Sequence, residues 1–141
     1  MTNWVVWSLL SAVFAGTTAV LAKIGVRDID SSLATALRTT VVLIFAWLVA
    51  MIGGKPSTLF SFSARTWIFL TLSGLATGLS WLCYFRALQL GEASQVAPVD
   101  KLSVVFVILF AALFLGESIT SKTALGGGLI LLGALVLAWG K

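Results

Sequence analysis

The chain has 141 residues, of which 60% are apolar and 10% charged, whereas soluble domains carry roughly a quarter charged residues. It contains no His and one Cys, which excludes an intrachain disulfide and a Ser-His-Asp hydrolytic triad, so no enzymatic reaction, metal or cofactor is expected. The net charge is +4, but the nine basic residues are scattered singly rather than gathered into the stripe that nucleic acid requires; lipid, small solutes and other helices are the expected partners.

A bilayer core of about 30 Å needs roughly 20 mostly apolar residues per helix. Five stretches qualify, at about residues 4–22, 33–52, 66–87, 93–115 and 123–139. They predict an all-α integral membrane protein, a five-transmembrane-helix bundle forming a single domain over residues 1–141. In the first stretch, Val20 and Ala22 stand where small residues precede a signal cleavage site, but Met1-Thr2-Asn3 carries no Lys or Arg, so a retained helix is expected. The polar loop from Lys23 to Ser32 ends in Asp30-Ser31-Ser32, residues that cap a second helix. Gly53-Gly54-Lys55-Pro56-Ser57 ends that helix. The short link from Gln89 to Glu92 makes the third and fourth helices an antiparallel hairpin. Gly116 suits the end of the fourth, and Thr120 or Ser121 the start of the fifth.

An odd number of spans puts the termini on opposite sides of the membrane. The N-terminal side, side A, holds Lys55, Arg65 and Lys122, and side B holds Lys23, Arg27, Arg86 and Lys141. Orientation follows the bias of Lys and Arg in short loops, and here the difference is one residue. That balance permits insertion in both orientations; the alternative is a single orientation set by other factors. Trp4, Trp7, Trp47 and Trp67 fall near side A, and Tyr84 and Trp139 near side B, as interfacial belts require. Trp81 lies inside the third span, where it either packs against neighbours or lines a solute path as an apolar or cation-binding wall.

The fourth span contains Ala97-Pro98-Val99-Asp100-Lys101-Leu102-Ser103. Pro98 lacks an N–H, so the carbonyl of Ser94 loses its helical partner and a kink is expected there. Asp100 and Lys101 would each cost about 2.5–3.5 kcal/mol at the centre of a lipid-exposed helix, so they should face protein or a wet cavity. Adjacent residues point about 100° apart and do not face one another well. Arg38 is the better partner for Asp100: at 1.5 Å per residue both lie about 9–10 Å into their spans from side B. Thr35, Arg38 and Thr39 share a face of the second helix. The group is either a solute site, as intramembrane ionisable residues usually are, or an ion-pair strut that fixes registry. Arg86, one residue from the end of its helix, can snorkel to headgroups, and Glu92 and Glu117 read as loop or capping charges. Gly126, Gly133 and Gly140 recur every seven residues in the fifth helix, and Gly74 and Gly78 form a GxxxG in the third; such positions let helices approach closely. Ser8, Ser11, Ala15, Thr18 and Ala22 form a small-residue face on the first helix that lines a channel or packs.

Taken together, Leu33-Ala34-Thr35-Ala36-Leu37-Arg38, Tyr84-Phe85-Arg86-Ala87-Leu88, Ala97 to Ser103 and Phe114-Leu115-Gly116-Glu117-Ser118, followed by a Gly-rich last helix, resemble the EamA-type five-helix domain of the drug/metabolite transporter superfamily, in its short single-domain bacterial and archaeal form. The resemblance covers the whole chain. It implies a multi-pass protein of the inner or plasma membrane, in which two five-helix units related by inverted topology enclose a central cavity. One unit per chain then implies a second copy, and the balanced loop charges suit an antiparallel homodimer. The glycine spacing is similar to that of the dimerising last helix of small multidrug exporters, which suggests Gly126, Gly133 and Gly140 as the dimer face. Those exporters use a first-helix carboxylate, and this first helix has none.

The expectation is a transporter of a small solute working by alternating access, with Pro98 permitting helix adjustment, Arg38, Asp100 and Lys101 forming the polar site, and Trp81 or Tyr84 contacting substrate. Two basic residues against one acid favour an anionic or zwitterionic metabolite. The competing class is a non-transporting scaffold, or an accessory half that completes another transporter.

Overall fold

The computed structural model describes residues 3–54 and 61–139. It consists of helices α1 (Trp4–Gly25), α2 (Ser31–Gly53), α3 (Ala64–Leu90), α4 (Ala93–Asp100), α5 (Ser103–Leu115) and α6 (Ser121–Trp139), with no strand among the described residues. Helices α4 and α5 continue one another as a single interrupted span, Ala93–Phe114, so five helices are long and apolar enough to cross a membrane. Large apolar side chains stay exposed along every span, among them Phe14, Phe45, Phe69, Phe114 and Leu132, as lipid-facing surfaces require.

Capping chemistry sets the helix ends. Asp30 accepts hydrogen bonds from the backbone N–H groups of Ser32 (2.8 Å) and Leu33 (3.2 Å) at the start of α2. These donors, Leu33 first and then Ser32, hold the Asp30 carboxyl below its ordinary value, the Arg86 charge adding slightly and burial opposing. A lowered folded value means the cap stabilises fully above the ordinary carboxylate pKa of about 4 and is lost as pH falls through the lowered one. Asp30→Ala should therefore lower the melting temperature at neutral pH, and the gap to the parent protein should close in acid; an equal gap at every pH would rule out a charged cap. Gly116 ends α5 with φ +69°, the left-handed conformation that glycine adopts without strain. At the end of α2, the N–H of Gly54 donates to the carbonyl of Ala50 (2.9 Å), and a Cβ on Gly54 would collide with that carbonyl. The remaining turn residues read from the sequence there, Lys55, Pro56 and Ser57, lie outside the described residues.

The helices form two units. In Met1–Ile24 with Leu90–Lys141, α6 packs on α4 and α5. Gly127 and Ala134 are its buried positions, and a Cβ on Gly127 would stand 3.1 Å from Ile108 Cδ1 of α5. Lys23 Nζ at the end of α1 donates to the carbonyl of Gly91 (2.7 Å), just before α4. In Gly25–Gln89, α2 and α3 are joined at their side-B ends through Gln89. Its Nε2 donates to the carbonyls of Val26 (3.1 Å) and Ile29 (2.7 Å) in the loop that leads into α2. Phe85 and Leu88 of α3, 2% and 0% exposed, are the most buried large side chains.

The break in the fourth span lies three residues beyond Pro98. Helix α4 runs through the proline to Asp100, and Lys101 N–H is then shared between the carbonyls of Ala97 (3.2 Å) and Pro98 (3.1 Å). Leu102, Val104 and Val105 donate three residues back, to Val99, Lys101 and Leu102, at 2.9–3.0 Å. Lys101 and Leu102 have ψ of −8° and −17°, flatter than the α-helical value near −42°. A single 3₁₀ turn at Lys101-Leu102 thus follows the proline. Because Val104 bonds to Lys101, the carbonyl of Asp100 drops out of the α-helical ladder.

Candidate functional site

The 3₁₀ turn places two charges and a released backbone carbonyl at one level of the fourth span. Lys101 Nζ lies 3.4 Å from Asp100 Oδ2. Adjacent helix residues do not face one another well, but the four-carbon Lys stem is long and flexible enough to fold back beside its neighbour. The pair is loosely held, with Lys101 58% and Asp100 36% exposed, and exposed pairs of this kind contribute at most about 1 kcal/mol. Pro98 and Asp100 are half-buried, one helical turn before and at the edge of the break.

In the other unit, Gly25–Gln89, Arg38 lies on α2. Its guanidinium carbon sits 4.4 Å from the Trp81 ring centroid and 5.3 Å from that of Phe85. Trp81 and Phe85 are four residues apart on α3 and so present to α2 as neighbours on one face; this spacing is the signal that would have added Phe85 to the candidates. Tyr84 is half-buried beside them, its ring 6.4 Å from that of Phe85 at 40°. The cation over Trp81 is therefore the protein's own Arg38. The carboxylates of this unit are Asp28 and Asp30, both in the loop before α2, and Arg38 makes no ion pair or hydrogen bond with the described residues of its unit. Thr35 and Thr39 spend their hydroxyl protons on their own helix, donating to the carbonyls of Ser31 and Thr35 at 2.7 Å. Arg86 is exposed and donates to Gln89 Oε1 (3.2 Å). Gln89, absent from the residues singled out by sequence, is what fixes the chain entering α2 against the end of α3; a Gln beside a short polar loop gave no distinctive signal.

Among the proposed dimer positions, Gly126 and Gly133 are exposed, and a Cβ on either would meet nothing within 4 Å. Gly140 lies outside the described residues. The glycine that packs inside the chain is Gly127, one residue and about 100° round the helix from Gly126. Gly127→Leu should overpack α6 on α5 and cost about 1–3 kcal/mol. Gly126→Leu should leave the protomer's own packing intact and, if that face pairs copies, reduce the dimer fraction in cross-linking. Equal thermal destabilisation by both would show that the two faces are not distinct.

Comparison with known proteins gives a consistent context. The profile of the EamA-like transporter family matches residues 2–139. A Sinorhizobium sp. protein described as "uncharacterized transporter in cobO 3'region" is 55% identical over 139 residues, covering 96% of each chain. No solved structure matches significantly.

Proposed function

The chain belongs to the EamA-like transporter family, and from that premise we propose that it is a multi-pass membrane transporter that moves a small anionic or zwitterionic metabolite across the inner or plasma membrane by alternating access, as an antiparallel homodimer. The observation that carries this reading is the 3₁₀ turn at Lys101-Leu102 inside an otherwise apolar span. Non-helical backbone at membrane depth is tolerated where it meets protein or a water-filled cavity, and a mid-helix 3₁₀ stretch commonly marks a hinge. Lys101 and Asp100 at that hinge are too exposed in the single chain to serve as a closed strut, which favours a role that uses their charge.

In this reading Arg38, Asp100 and Lys101 share one polar layer, from the depths their sequence positions give them. Pro98 keeps the hinge soft, and Trp81 and Tyr84 wall the path. Asp100 has Lys101 as its partner in the structure. The exposed Gly126 and Gly133 support the pairing of copies, because two backbones can approach there without displacing a side chain.

Reconstituted alone into liposomes, the protein should take up at least one member of a radiolabelled panel of anionic and zwitterionic metabolites faster than protein-free liposomes. Uptake of none of them, with protein that is folded and inserted, would turn the reading toward an accessory half-unit.

A further inference from the structure

Trp81, Phe85 and Gln89 follow one another at four-residue spacing on α3 and so form one stripe along that helix. At the side-B end of the stripe, Gln89 Nε2 donates to the carbonyls of Val26 (3.1 Å) and Ile29 (2.7 Å) in the loop that enters α2. Further along it, the Arg38 guanidinium of α2 lies 4.4 Å from the Trp81 ring centroid and 5.3 Å from that of Phe85. Helix rise connects the two contacts. At 1.5 Å per residue, Trp81 is about 12 Å along α3 from Gln89, and Arg38 is about 10 Å along α2 from Ser31. The two lengths agree, so the point at which Gln89 grips the loop decides which rings Arg38 meets. A slip of one helical turn, about 5.4 Å, would carry the guanidinium past one or both of them. Apolar side chains resist such a slip weakly, because one apolar neighbour replaces another. A buried carbonyl needs a donor, and the bond to Val26 is part-buried.

Arg86 in turn orients Gln89. Its Nη1 donates to Gln89 Oε1 (3.2 Å). A guanidinium only donates and a carbonyl only accepts. Arg86 on one side and two carbonyls on the other therefore leave the amide one consistent orientation, with its oxygen and its nitrogen both used. Resting on the transport reading above, in which Arg38 belongs to the solute path, we propose that Gln89 is a positioning residue: it sets the register of α2 along α3, and so the depth and facing of the Arg38 charge, and Arg86 acts through it by fixing the amide. Neither Gln89 nor Arg86 touches the solute. Without the amide donors, α2 is free to settle against α3 at a neighbouring turn. Without the donor of Arg86, the amide can turn over and put its oxygen against the two loop carbonyls, which repel it.

The test reads the ring under Arg38, by fluorine NMR of the full chain labelled with fluorotryptophan in phosphatidylcholine vesicles, the Trp81 resonance being assigned with Trp81→Phe. Arg38→Met supplies the reference shift for a Trp81 ring without its cation. Gln89→Met keeps the length of the side chain and removes its donors and acceptor; it should move the Trp81 resonance at least half of the way to that reference, with helix content unchanged. Arg86→Glu, an acceptor in place of a donor, should do the same, whereas Arg86→Lys, which restores a donor, should keep the parent resonance. A folded Gln89→Met protein with the parent Trp81 resonance, even one that melts at a lower temperature, would make the Gln89 contacts a local strut and overturn the proposal. If Gln89→Met fails to fold, the contrast between Arg86→Glu and Arg86→Lys decides, and its absence overturns the proposal. An Arg38→Met resonance equal to the parent's would show that no cation stands on Trp81, and overturns it too. No solute enters this measurement. Uptake of nothing in the liposome assay therefore sinks the transport reading alone, whereas an unmoved Trp81 resonance in Gln89→Met sinks this inference alone.

Discussion

Arg38→Ala and Asp100→Ala should each abolish transport, and the double variant should regain stability without regaining transport. The argument is electrostatic. A charge left alone inside a span costs about 2.5–3.5 kcal/mol on the insertion scale, and removing one member of a desolvated pair leaves that cost uncompensated, whereas removing both does not. Asp100 also has Lys101 beside it at 3.4 Å, but that pair is exposed and contributes at most about 1 kcal/mol, so adding Lys101→Ala to Asp100→Ala should recover little stability. Thermal unfolding in lipid and liposome uptake read the two effects separately. A coupling of roughly 0.5–3 kcal/mol between Arg38 and Asp100 is the mark of residues that meet during the cycle. Strict additivity in stability would show that they never do, and a double variant that still transports would reduce the charges to a strut and move the site elsewhere, to the face of Ser8, Ser11 and Thr18.

The spans were legible in the sequence because length and hydrophobicity alone decide them. Asp30 and Gly116 were legible because capping is local: the side chain of Asp30 reaches donors two and three residues on, and Gly116 takes the left-handed conformation. The break in the fourth span was only half legible. Pro98 announces a missing N–H, but where the ladder readjusts depends on which carbonyls share the next donors, and this moved the turn to Lys101-Leu102. Lateral contacts were the hardest to read. In a soluble helix the apolar stripe names the buried face, but a span is apolar toward lipid and toward its neighbours alike, so the pattern did not say that α3 turns Trp81 and Phe85 together toward Arg38. The run Gly126-Gly127-Gly128 shows the same ambiguity: a seven-residue repeat picked out Gly126 and Gly133, while the close approach within the chain uses Gly127.

Reporter fusions at Lys141 should be active both as a cytoplasmic reporter and as an external one, because the loops that orient the chain carry three basic residues on side A and four on side B. Orientation responds to Lys and Arg in short loops near the ends of spans, so a difference of one is small enough for a few substitutions to override. Two Lys added beside Lys122, on side A, change the count to five against four; two added beside Arg27, on side B, change it to three against six. Each change should push the population toward one orientation, in opposite senses, and the side-B change further. The functional consequence is larger than the topological one. If transport needs two oppositely inserted copies, either biased variant expressed alone should fall toward background uptake, and expressing the two together should restore it, since each supplies the orientation that the other lacks. A reporter active in one form only would exclude dual insertion. A biased variant that transports normally by itself would show that copies pair in parallel, or that a single orientation is competent, and the open face at Gly126 and Gly133 would then have to serve a parallel contact.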